Sequence, residues 1–257
     1  MGEIVVCIGN WGAYANGYLI DRWAELPMEP DDLARLLSDM QAENAGLGAG
    51  EEFYISDYDG TPFGIGYSSH GPFSEDTPIE HLNLLAKLME LYPGACKVVE
   101  AALDTGCDCP DDVLGLANWV LQADGIPFYS YGLDQDAVHA TTPAEKMGLS
   151  WAIDSGLFGA LEKADAIGCF DFGAYGEAIG NDCFLGEDGY IDGSLDMPDE
   201  DRYGWDDIRE MTGFQTGEEL RNEFSPAVGM IDIEAFNPYM SYPDTDFDLG
   251  GPDSYER

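Results

Sequence analysis

The sequence predicts an α+β fold, and three observations carry that expectation. Short strand-like runs occur at residues 3–9, 53–55 and 126–131, and helix starts marked by Pro with acidic or Thr neighbours occur at residues 30, 77 and 142. The hydrophobic content of 45% gives both kinds of element a core to pack against. Charge sets the other boundary: 51 Asp and Glu stand against 10 Lys and Arg, a formal net charge of -41 on 257 residues. Self-repulsion on that scale works against compactness, yet the 12% aromatic content separates the chain from disordered polyacids.

The length suits one large domain or two to three small ones. The expected division is an N-terminal α/β module over 1–75, a helical middle module over 76–125, a C-terminal α/β module over 126–194 and an acidic extension over 195–257. No apolar run approaches the ~18 residues of a membrane span, so no membrane partner is expected. Met1-Gly2-Glu3 leads into IVVCIG without the basic segment that opens a secretion signal. Cys7, Cys96, Cys107, Cys109, Cys169 and Cys183 lack the spacing of a small secreted domain. Reduced thiols in a cytoplasmic protein are the simpler expectation.

Residues 3–9 read as a strand, and residues 10–17 (NWGAYANG) as a loop of turn formers and small residues. After an apolar segment at 18–23 comes the stretch that sets the character of the chain. Pro30 suits a first helical turn, Asp31 and Asp32 favour the positive end of the helix dipole, and Leu33, Leu36, Leu37 and Met40 form an i, i+3, i+4, i+7 stripe. Asp32, Asp39 and Glu43 therefore face outward. The strand Phe53-Tyr54-Ile55 follows and leads into two more carboxylates, Asp57 and Asp59.

Thr77-Pro78-Ile79-Glu80 has capping-box spacing and opens a helix with the stripe Ile79, Leu82, Leu85, Ala86 and Met89. Helices are expected near 95–103 and 110–122, the latter opened by Asp111 and Asp112. Residues 126–131 read as a strand that Pro127 confines to an edge or a strand start. Thr142-Pro143-Ala144-Glu145 repeats the capping-box pattern and begins a helix that Gly156 stops, followed by a short helix at 157–163. GEDGYIDG at 186–193 reads as a turn-linked β segment. Beyond residue 195 the chain holds 17 acids and four Arg, with short helix candidates at 205–211 and 218–224. Its aromatic residues predict partial docking on the preceding module.

Several chemistries lack their residues. Only His70, His81 and His139 are available to a nucleophilic triad, and no GxSxG elbow is present. Cys107-x-Cys109 lacks zinc spacing and a second pair. The glycines at 64, 66 and 71 have no P-loop lysine beside them. Asp244-x-Asp246-x-Asp248 opens like a calcium loop, but Leu249 stands where Gly is needed and Tyr255 where Glu is needed. Paired carboxylates are too abundant to single out a glycosidase pair. No metal site, cofactor or catalytic residue is expected.

What remains is recognition by charge. Duplex DNA carries one negative charge per ~1.7 Å of axis, and helical carboxylates three or four residues apart stand ~5–6 Å apart on one face. A folded acidic surface can thus occupy the basic groove of a DNA-binding protein. Adaptation to high salt, or cation binding by an acidic housekeeping protein, is the competing reading, and composition alone leaves these near parity.

The order of motifs separates them. Tyr14, Asn16 and Gly17, then Trp23, then Ile55, Asp57 and Tyr58, then Leu82, Asn83 and Leu85, and finally Phe170, Asp171, Ala174, Tyr175 and Gly176 follow one another in the order of a known pattern. The run resembles the ArdA family of antirestriction proteins over residues 4–192. The resemblance implies small α/β modules arranged end to end in an elongated, strongly acidic homodimer that imitates bent B-form DNA. It implies a non-enzymatic inhibitor of type I restriction-modification enzymes that protects incoming mobile DNA and does not itself bind nucleic acid. Asn16 stands one place late in its motif, Glu177-Ala178 departs from the Arg-Asp usual after the Tyr-Gly pair, insertions lengthen the middle, and the region beyond about 195 has no family counterpart. On this reading the candidate phosphate surrogates are Asp31, Asp32, Asp39, Glu43, Glu80, Glu90, Asp111, Asp112, Glu145, Asp154, Glu162 and Asp165, all expected on helices or close to their ends.

Overall fold

The computed structural model describes residues 4–45, 52–68, 71–133 and 140–214. The chain is α+β, with two three-stranded antiparallel sheets joined by helices. Strand β1 (Ile4–Asn10) leads into helix α1 (Trp11–Ala15), strand β2 (Arg22–Leu26), helix α2 (Pro30–Ala45) and strand β3 (Phe53–Asp59). The first sheet has the order β2-β1-β3, which centres the most apolar strand. Ile4, Val6 and Ile8 alternate into the core at 0–1% exposure. Residues 10–17 differ from the expected loop: the Asn10 carboxamide accepts from the Ala13 N–H at 2.9 Å and so caps a five-residue helix.

Three helices follow: α3 (Ile79–Leu91), α4 (Pro93–Asp104) and α5 (Val113–Leu121). The capping box expected at Thr77 does not form. Pro78 is the N-cap, and the Thr77 hydroxyl accepts from the Ser74 N–H at 3.0 Å and donates to the Pro72 carbonyl at 3.2 Å. Thr77 thus closes the turn before the helix. Asp112 does cap α5, accepting from the Gly115 N–H at 2.9 Å. Leu82, Leu85, Cys96, Val99, Leu116, Trp119 and Val120 join β1 in one continuous core.

The second sheet has the order β4-β6-β5 and comprises β4 (Phe128–Ser130), β5 (Cys183–Leu185) and β6 (Gly189–Asp192). Its strand β4 lies at an edge, where Pro127 costs no ladder bond. Between β4 and β5 run α6 (Pro143–Asp154), α7 (Leu157–Lys163) and α8 (Phe172–Ile179). The Thr142–Glu145 capping box is present on α6, and Gly156 ends that helix region at φ 75°. A smaller cluster of Tyr131, Met147 and Tyr190 sits under this sheet.

Beyond β6 the chain returns to the middle helices and ends its described course in α9 (Trp205–Thr212). The Asn118 carboxamide reads Tyr203 twice, donating to its carbonyl at 2.9 Å and accepting from its N–H at 2.8 Å. Gln122 donates to the Asp199 carbonyl at 2.7 Å. Ile208 is fully buried in the main core, and Trp205 stacks on His81 with centroids 3.9 Å apart. The docking expected from the aromatic content of this region is met by residues 195–214. The helix expected at 218–224 and the aspartates at 244–248 lie outside the described residues.

Candidate functional site

The strongest candidate surface is carboxylate-rich and begins on α2. Its stripe buries Leu33 and Met40, and the remaining positions leave Asp31, Asp32, Asp39 and Glu43 exposed. At 3.6 residues per turn these four fall within an arc of about 120°, with Asp31 to Asp39 about 12 Å along the axis and Asp39 to Glu43 about 6 Å. Arg35 pairs with Asp32 at 2.7 Å, and Arg22 of β2 forks onto both Glu43 oxygens at 2.8 Å.

The other candidates are spread over the helical middle and the C-terminal helices. Glu80 and Glu90 are exposed at opposite ends of α3, Glu80 lying 4.0 Å from Arg209 and Glu90 bonding Lys87 at 2.7 Å. Asp154 ends α6, Glu162 lies in α7, and Asp165 follows α7 at φ 51°; all three are exposed. Glu145 is the exception in role. Its carboxylate accepts from the Thr141 N–H at 2.7 Å, the Thr141 hydroxyl at 2.8 Å and the Thr142 N–H at 3.0 Å, which holds its pKa below the ordinary value. It remains an anion while serving as a cap.

Tertiary structure adds carboxylates that no local pattern signalled. Glu200 of the returning chain comes within electrostatic reach of Asp111 and Asp112. The Glu200 carboxyl is pushed up, first by partial loss of solvent against Gly115 and then by Asp111, Asp112 and Asp201. Partial desolvation and then the charges of Glu75, Asp76 and Asp57, the last already marked by the β3 sequence, raise the Tyr67 phenol. The signal for Glu200 lay in acid density alone, because its neighbours are about 90 positions away in sequence.

Cations are drawn into these carboxylates. Arg22, Arg35, Lys87, Lys146 and Arg209 each pair with an acid. All six cysteines are free, and burial pushes the Cys96 thiol up to about 12. Among the described residues no group of three or more His, Cys, Asp or Glu side chains is arranged to hold a metal ion. Nor is any described helix long and apolar enough to cross a membrane.

A family model described as antirestriction protein (ArdA) matches residues 6–192. The chain belongs to the ArdA antirestriction family. No curated protein and no solved structure matches it. The ArdA-like motifs now acquire physical roles. Asn83 holds the backbone of Met28, accepting from its N–H at 2.7 Å and donating to its carbonyl at 2.8 Å. Tyr58 donates to the Ser74 carbonyl at 2.9 Å. Asp171 caps α8 through the Ala174 N–H at 2.9 Å, and Gly176 lets α8 cross α6 at backbone contact. These ArdA motif residues build the scaffold, while the exposed acids lie between them.

Proposed function

We propose that the protein blocks type I restriction-modification enzymes by occupying their DNA-binding groove as a folded imitation of B-form DNA. It acts without catalysis, as a homodimer in the cytoplasm, and protects incoming mobile DNA. Family membership supplies the antirestriction activity. The observation that carries the mechanism is the solvent placement of Asp31, Asp32, Asp39 and Glu43 along one side of α2, repeated by Glu80, Glu90, Asp111, Asp112, Asp154, Glu162 and Asp165 on later elements.

The magnitudes show why many elements are needed. Helix α2 has 16 residues, spans about 24 Å and carries four carboxylates against Arg35, or about one net charge per 8 Å. Duplex DNA carries one per ~1.7 Å. A single helix therefore supplies about a fifth of the required density, and imitation has to be collective. The whole charge of -41 is equivalent to about 70 Å of duplex.

Competition between the protein and a labelled target duplex for a type I enzyme tests this. Displacement that weakens steeply from low to moderate salt is expected. Inhibition without displacement of DNA would refute groove occupation. A fold that needs molar salt to persist would instead favour the halophilic reading.

A further inference from the structure

The outer face of the first sheet carries a feature that phosphate imitation does not require. Strand register places Glu25, Val5 and Asp59 in one row and Trp23, Cys7 and Asp57 in the next. Ile4, Val6 and Ile8 turn the opposite way into the core, so both rows lie on the face away from it. Trp23 leaves 56% of its surface in water on the edge strand β2. Beside it opens a groove of about 620 Å³, lined by Val5, Trp23, Glu25, Met28, Leu36 and Asp59. Arg22, next to Trp23, is directed onto Glu43.

We propose that this groove receives an arginine side chain of the basic partner. The inference rests on the groove-occupation reading above and adds a discrete anchor to it. Charge complementarity selects the occupant: the lining carries Glu25 and Asp59 and no cation. A second copy of this chain, a nucleic acid or an anionic surface would meet like charge. The indole offers a face on which a planar guanidinium stacks, Glu25 or Asp59 accepts its forked N–H groups, and Val5, Met28 and Leu36 cover its aliphatic stem. Glu25 stands two residues from Trp23 on the same strand face, about 7 Å away along the strand, so stacking and forking are compatible. Lysine has no planar group to stack and gains less. A buried aromatic contact of this kind slows dissociation, whereas the surrounding carboxylates mainly speed encounter.

The test uses the full chain with a tetra-arginine peptide and, for comparison, a tetra-lysine peptide, following the tryptophan indole N–H resonances during titration. The Trp23 resonance should move first, and arginine should bind about threefold tighter or better than lysine. Trp23→Ala should remove that preference, Trp23→Phe should keep part of it, and Glu25→Gln with Asp59→Asn should weaken both peptides. In the complex with a type I enzyme, Trp23→Ala should dissociate about tenfold faster while its salt dependence is kept. Equal binding of the two peptides, or an arginine preference that survives Trp23→Ala, overturns the proposal. If the arginine preference holds but no type I enzyme binds, the groove stands and the reading of function falls. Inhibition without any arginine preference defeats the groove alone.

Discussion

Replacing Gly176 by Ala probes the crossing of α6 and α8, where Gly176 and Gly148 make the tightest backbone approaches among the described glycines. A methyl carbon there would lie 2.8 Å from the Ala144 carbonyl carbon and 2.8 Å from the Gly148 nitrogen, with the Ala144 oxygen nearer still. These are backbone atoms of α6 and cannot swing aside as a side chain can. Helices α6 and α8 must therefore part by about 1 Å, loosening contacts in a close-packed interface. Overpacking costs ~1–3 kcal/mol, and the upper end applies because the obstacle is backbone. Removing a helical glycine returns ~1 kcal/mol. The expected net loss is about 2 kcal/mol, or about 4–8 °C in Tm for a chain of this size. Gly159 in α7 provides the control, since nothing lies within 4 Å of its added carbon. Gly159→Ala should be neutral or stabilise by up to ~1 kcal/mol. Urea and thermal unfolding followed by circular dichroism measure both. A Gly176→Ala protein as stable as Gly159→Ala would refute the close crossing.

Neutralising Asp31, Asp39 and Glu43 together should weaken inhibition progressively and flatten its salt dependence, while each single change should cost little; one substitution that abolishes inhibition in a folded protein would contradict collective recognition. Asn118→Ala leaves the Tyr203 N–H and carbonyl without their amide partner and should cost about 1–3 kcal/mol, read as faster hydrogen exchange over residues 199–212. Glu145, with its lowered pKa, adds stability above its ordinary pKa that is lost as pH falls through the folded value; Glu145→Gln should remove that part of the acid sensitivity in pH-dependent melts. Glu200, with its raised pKa, acts in the opposite sense, its contribution being lost as pH rises through the folded value, so Glu200→Gln should stabilise slightly at neutral pH and leave the melt unchanged in acid. A chain ended after Ser194 loses Ile208 and Phe214 from the main core and the partners of Asn118 and Gln122. It should retain measurable inhibition but melt earlier, and aggregation with complete loss of activity would make residues 195–214 part of the indispensable core.

Much of this was legible in the linear sequence because the forces involved are local. Pro30 with Asp31 and Asp32, the 33/36/37/40 stripe and the Thr142–Glu145 box specify helices through spacings of three and four residues, and the structure has those helices. The same locality turned Asp39, Glu43, Glu80 and Glu162 toward water, since each lies off its helix's apolar stripe. Local patterns failed where a side chain had a better distant or alternative partner. Thr77 bonds back to Pro72 and Ser74 instead of capping α3, and Asn10 makes a helix of a segment rich in turn formers.

Only the tertiary structure could bring Glu200 to Asp111 and Asp112, Tyr203 to Asn118, or Gly176 to Ala144, because each pair is joined by packing across 32 to 89 positions of chain. The groove beside Trp23 depends in the same way on register: one residue of slip between β1 and β2 would send Trp23 and Glu25 inward and bring Ala24 and Leu26 out. The sequence by itself determined the charge, the helices that carry an apolar stripe or a Pro-marked start, and which of the acids on them meet water, since composition and short-range periodicity set these; α1 and α8 carried no such signal. Which of those charges become neighbours was decided by the meeting of sheet, helices and returning chain, since distance in space is a property of the fold.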